Sequence, residues 1–179
     1  MRKSLWLFVA VAAAALTFGA SIAVGAVNVK SFPVATFGDP DAASVTLRGG
    51  NFSGLGSVPA DATLTVQGSV RYDCSNPQGH LSPGQNPVAA QPGSTSQGLG
   101  NADHNGRGTI TTMTATATAG PTPSAQAVGC GGGGSTQWTV VNPVVTVTSA
   151  QLAISQGGNI IFCRNYTANG IGTPPPPAC

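Results

Sequence analysis

The densest group of side chains able to hold a ligand lies in the run Asp73-Cys74-Ser75-Asn76-Pro77-Gln78-Gly79-His80, followed by Pro83-Gly84-Gln85-Asn86. Asp73, Asn76, Gln78, His80 and Asn86 offer a carboxylate, amides and an imidazole on one loop. That is a donor and acceptor set for a sugar hydroxyl or a calcium ion, and loops on a rigid scaffold are where binding residues concentrate. The same residue types also close turns, because Asn, Pro and Gly adopt the dihedrals that turns require. No D-x-D-x-D-G spacing or acidic cluster is present, so no metal is expected there, and the run stands as a candidate binding surface.

Catalysis finds few tools in this chain. His80 and His104 are the two histidines, Glu is absent, and no G-x-S-x-G occurs, so neither a triad nor a tuned pair of carboxylates is assembled by any motif. Asp103-His104-Asn105-Gly106-Arg107 reads as a turn. The alternating Thr112, Thr114, Thr116 and Thr118 make one solvent face of a strand, opposite Met113, Ala115 and Ala117. Trp138 and Val140 share a parity and are expected in the core rather than on a carbohydrate platform. A non-enzymatic protein without cofactor is expected.

Residues 1–26 have the order of a secretory signal peptide: Arg2 and Lys3, an apolar stretch from Leu5 to Leu16, then small residues at Ser21, Ala23, Gly25 and Ala26. Cleavage is placed after Ala26, with Ala23 as the alternative. Small residues and Gly crowd the end of the stretch, where an uncleaved anchor would need bulk. The predicted location is therefore extracellular. Removing the signal takes away two of seven basic residues. Lys30, Arg48, Arg71, Arg107 and Arg164 then balance Asp39, Asp41, Asp61, Asp73 and Asp103. A neutral chain lacks the basic stripe that tracks nucleic acid or an anionic membrane. The apolar share, Gly not counted, falls from 41% to roughly a third. The core must be thin, and cross-links must help it.

Cys74, Cys130, Cys163 and Cys179 all follow the signal, and none is spaced as C-x-x-C. An even number in an exported chain points to disulfides rather than zinc. Of the three pairings, the one that joins sequence neighbours, Cys74–Cys130 and Cys163–Cys179, is favoured.

Runs of period two, rich in Val, Thr and Ile, recur between Gly, Pro, Asn and Ser, and no useful window shows helical spacing. In the clearest, Thr63 to Cys74, the residues Leu64, Val66, Val70, Tyr72 and Cys74 fall on one face. Gly68 falls there too, as at a bulge or a close backbone approach. Seven further strands are predicted, at 27–29, 44–47, 94–99, 107–118, 136–141, 144–154 and 159–166. Eight short strands suggest an all-β, antiparallel two-sheet sandwich of Ig-like Greek-key type, with a small barrel as the alternative, occupying residues 27–168. Pro143 is expected to mark a turn or a crossing between sheets. Gly157-Gly158 is expected to close a terminal hairpin. Residues 169–179 form a Pro-rich tail ending in Cys.

The strand ending in Tyr72-Asp73-Cys74, then Asn76, Gly79, His80 and Pro83-Gly84-Gln85-Asn86, then Asn105-Gly106-Arg107-Gly108 and Cys130 among glycines, resembles a group of small secreted β-rich proteins of actinomycetes. The resemblance covers about Ala62 to Val147 and implies a bacterial, secreted β domain, with no activity or binding residues to carry over. The expected function is a surface- or matrix-associated domain that binds an extracellular macromolecule, a glycan or a protein. The alternative is an inhibitor that presents the loop Ser75 to Asn86 to a secreted hydrolase, since a disulfide-anchored loop loses little entropy on binding. An enzyme ranks third.

Overall fold

The computed structural model describes residues 27–38, 43–99, 106–131 and 137–168. Residues 1–26, where a signal peptide is expected, the tail 169–179 with Cys179, and Asp103, His104 and Asn105 lie outside the described residues. Along the chain run β1 (Asn28–Ser31), β2 (Val34–Phe37), β3 (Ser44–Arg48), β4 (Asn51–Ser53), β5 (Ala60–Ser75), β6 (Leu81–Pro83), β7 (Val88–Ala89), β8 (Gly93–Gly98), β9 (Gly108–Thr109), β10 (Thr112–Thr116), β11 (Thr139–Gln156) and β12 (Asn159–Thr167). The described residues are all-β, and every strand pairing is antiparallel.

The largest sheet is built on β5 and β11, strands of 16 and 18 residues that pair along nearly their whole length. β12 flanks β11, and the far edge of β5 is covered in turn by β8, β7 and β6. Two three-stranded sheets, β1-β4-β9 and β10-β3-β2, complete the fold. Alternation in β5 works as its sequence demands: Leu64, Val66, Val70, Tyr72 and Cys74 are all buried.

β11 corrects one expectation. Pro143 does not separate two strands, because the chain absorbs an extra residue at Asn142-Pro143 as a bulge and pairing with β5 resumes at Val144. Proline lacks the N–H a ladder needs, and at a bulge the ladder is already broken. Asn142 takes a left-handed φ of 51° and donates its side-chain amide to the Asp73 carboxylate at 3.0 Å. A second bulge, at Thr148, lies beside the pair Val147 and Gly68. A Cβ on Gly68 would sit 2.2 Å from the Thr146 carbonyl oxygen, so the glycine marks both a bulge and a close approach. Each bulge shifts parity by one. The inward side chains of β11 therefore run Val140, then Val145 and Val147, then Ala150, Leu152 and Ile154.

The inward faces share a main core in which Val45 and Leu47 of β3, Phe52 of β4, and Met113 and Ala115 of β10 meet Leu64, Val66, Leu152 and Ile154. Gln156 ends the β11 stripe and donates to the Leu55 and Val58 carbonyls, which pins the loop before β5 over this core. A smaller cluster at the other end of β5 joins Val70, Tyr72, Cys74, Val128 and Cys130, with Trp138 and Val140 packed against it. Cys74 and Cys130 are disulfide-bonded, as the spacing predicts. No described cysteine is free, Cys163 included. Gly157 and Gly158, at φ 57° and 82°, turn β11 into β12 between paired Gln156 and Asn159.

The large sheet and the β10-β3-β2 sheet meet on one side and stay apart on the other. Gln91 and Thr118 exchange both backbone hydrogen bonds, at 2.9 and 3.1 Å, just outside β8 and β10. Opposite, β2 and β12 are the last strands of their sheets, and each pairs on one edge only among the described residues.

Candidate functional site

The loop singled out by composition is a braced hairpin. The Asn76 side-chain oxygen accepts from the backbone N–H groups of Gln78 and His80, at 3.0 and 2.9 Å, and Gly79 takes a φ of 83°. That amide oxygen is spent on the turn. Asp73 sits on β5 and holds Asn142. Gln78 and His80 are exposed, and Asn86 belongs to the next loop, where its backbone N–H donates to Val128 at 3.1 Å. The five residues are thus distributed over a strand, a tight turn and a second loop rather than aimed at one point. Among the described residues, no three His, Cys, Asp or Glu side chains are grouped as metal ligands would be.

A more concave feature lies on the open side of the fold. A groove of about 620 Å³ runs between β2 and the end of β12, lined by Phe32, Pro33, Val34, Phe37, Arg164 and Ala168 among others. Its volume falls within the ~300 to 1,000 Å³ of small-ligand sites. The sequence builds it in two strokes. In β2, Ala35 and Phe37 point toward the core and Val34 stands outward, 67% exposed. In β12, the inward stripe reads Phe162, Arg164, Tyr166, so a cation occupies a position where the period calls for an apolar residue.

Arg164 is only 8% exposed. Its guanidinium carbon lies 3.9 Å from the centre of the Phe32 ring and 5.6 Å from that of Tyr166. Its Nε is buried without a hydrogen-bond partner, and no carboxylate pairs with it among the described residues. Stacking on an aromatic face offsets part of the cost of taking the cation out of water, but the buried Nε–H still lacks an acceptor. Phe32 in turn lies 6.5 Å from Phe162, which meets Phe52 edge-on at 5.4 Å, so an aromatic run connects the groove to the main core.

Tyr166 closes the floor by donating its hydroxyl to the Pro33 carbonyl at 3.3 Å. Burial pushes its phenol up to about 12, with the Arg164 guanidinium pulling the other way. Because the folded value lies above the ordinary 10.0, the stabilisation from the neutral phenol is intact below that pH and is lost as pH climbs from about 10 to about 12. Ultraviolet titration is expected to reveal a phenol ionising near pH 12 that is absent from Tyr166→Phe. Complete ionisation of Tyr166 by about pH 11, read as the difference from Tyr166→Phe, would contradict the burial.

A smaller depression of about 260 Å³ on the large sheet is lined by Thr65, Gln67, Gln151 and Asn165 among others. The Gln151 and Asn165 amides already bond each other at 3.1 Å. No family model matches the chain, and neither a curated protein nor a solved structure is detectably similar to it. The groove was missed by composition because its lining is mostly apolar and its one cation, Arg164, stands alone in the sequence. Its signal in the sequence is one of parity, the charge of Arg164 between Phe162 and Tyr166.

Proposed function

We propose that the chain is a secreted, non-enzymatic binding domain of the cell surface or extracellular matrix, and that it takes an extracellular macromolecule into the groove between β2 and β12. The observation that carries this reading is Arg164, 8% exposed and with its Nε buried without an acceptor, on the wall of a largely apolar cleft. A purely structural arginine would be paired or would carry its head to water. Export is supported by the order of residues 1–26 and by the Cys74–Cys130 bridge, which belongs to an oxidising compartment. We read the architecture as a Greek-key sandwich whose two small sheets oppose the large one, with the groove as its open seam.

The test immobilises the secreted chain and offers it a glycan array and an extract of the producer's cell wall and secretome. A retained partner is expected, with retention reduced at least tenfold by Val34→Asn, a change at an exposed edge position that leaves the core intact. No retained partner, or retention indifferent to Val34→Asn, would sink the groove reading. A second reading, an inhibitor of a secreted hydrolase, is favoured by the Asn76-braced hairpin and by Leu81 beside it, 57% exposed. A protease and amylase panel without inhibition disposes of it.

A further inference from the structure

We propose that the groove takes an extended peptide segment and that Arg164 receives a carboxylate of that peptide. This deepens the binding function proposed above and rests on it.

Three observations point to the same ligand. The first is charge. Arg164 is 8% exposed, its Nε is buried without a partner, and its guanidinium lies over the Phe32 ring at the groove, with Nη donors left for a ligand there. A carboxylate answers both the charge and the planar fork of donors. The second is backbone. β2 and β12 both border the groove, and among the described residues each is paired on one side only. The four residues of β2 offer about 13 Å of free edge, and free strand edges are filled by adding a strand. An alkyl chain of a lipid would cover those N–H and C=O groups without satisfying them. The third is the lining. Phe32, Pro33, Val34, Phe37 and Ala168 outweigh the hydroxyls of Thr36 and Thr167. Sugar rings would find few hydrogen-bonding side chains here, whereas the alternate apolar side chains of an extended peptide would find a surface to cover.

The carboxylate can come from the peptide's C-terminus or from an Asp or Glu side chain. The chemistry at Arg164 is the same, and the experiment separates the two sources.

The experiment uses the secreted chain and an array of decapeptides with alternating Val and Thr and varied registers. Each is printed with a free C-terminal carboxylate and no acidic residue, as a C-terminal amide with one internal Asp, and as the amide with Asn in place of that Asp. We expect a subset of the carboxylate-bearing forms to bind at least tenfold more tightly than the uncharged amide. On those forms Arg164→Gln is expected to lose that tenfold preference, while the uncharged form binds both proteins equally. Amide exchange should slow in both β2 and β12 when peptide binds. The comparison among peptides on the wild-type chain holds whether or not Arg164→Gln folds. Equal binding of charged and uncharged forms overturns the role of Arg164 while leaving the groove in place. No peptide bound in any form, with a wall or secretome partner still lost on Val34→Asn, overturns the peptide inference alone. Loss of both overturns the groove itself.

Discussion

Replacing Cys74 and Cys130 together by Ala is expected to remove about 4 kcal/mol of stability. The bridge spans 56 residues of sequence, and closing a loop of that length in the unfolded chain accounts for this magnitude. Against a typical total of about 5 to 15 kcal/mol, the loss is a large fraction of what holds a domain folded. Its local consequence is sharper still. Both cysteines are buried in the smaller cluster, where Val70, Tyr72 and Val128 are the other buried members. The bridge is the covalent tie between the segment around Val128 and β5, so that segment should detach first. Urea unfolding of the double variant should show a much lower midpoint, and amide exchange should become fast around Ser124 to Cys130 before it does in β5. A midpoint shift equivalent to less than about 1 kcal/mol would show that the packing of the cluster, rather than the cross-link, holds this end. Both cysteines are changed together so that neither is left to pair elsewhere.

The bridge was legible because cysteine arithmetic is nearly independent of tertiary detail. So were β5, whose period-two run survives intact in the fold, and the Gly157-Gly158 turn, whose residues tolerate the positive φ at both positions. Other elements were hidden for physical reasons. β4, β6 and β7 have three, three and two residues, too few to display a period, and they exist because β5 and the β1 and β9 strands supply partners. The region 107–118, expected as one strand, is two, with buried Ile110 between β9 and β10, each serving a different sheet. β11 was divided in the sequence because two bulges shift its parity and Pro143 sits at one of them. Periodicity counts residues, whereas pairing counts hydrogen bonds, and a bulge makes the two disagree.

The candidate site escaped for a related reason. Composition draws the eye to Asp73, Asn76 and His80, yet the polar atoms of Asp73 and Asn76 are engaged locally, one on Asn142 and the other on its own turn. Arg164 looks unremarkable in a count of charges. It becomes informative once β12 is known to carry an extra residue at Ile161, because the shifted register sets Phe162, Arg164 and Tyr166 opposite the inward Ile154, Leu152 and Ala150. β2 was not predicted at all, since four residues beside Pro33 make a weak signal. Without β2 there is no second edge and no groove.

Gly93→Ala is expected to cost about 3 kcal/mol or more, although it adds a single methyl group at a half-buried position. That Cβ would sit 1.8 Å from the Thr116 carbonyl oxygen and 2.5 Å from its carbon, both backbone atoms that no rotamer change can move aside. Nor can β8 retreat. Gly93 pairs with Val66 of β5 on its other side, and two residues earlier Gln91 is tied to Thr118 by reciprocal backbone bonds. Relief therefore requires opening the junction between the large sheet and the β10-β3-β2 sheet, and Met113 and Ala115 of β10, with Ala117 just after it, are core residues. Gly98, at the other end of the same strand, supplies the control. A Cβ there meets nothing nearer than the Asp61 side chain at 3.7 Å, an ordinary contact, and its φ is not in the left-handed region. Gly98→Ala should be neutral or stabilising by about 0.5 kcal/mol, because alanine loses less backbone freedom on folding. Thermal unfolding of the two variants side by side separates close backbone approach from the entropy of glycine. Equal midpoints would mean that β8 and β10 are not held as close as Gly93 requires, and the closed side of the fold would lose its explanation.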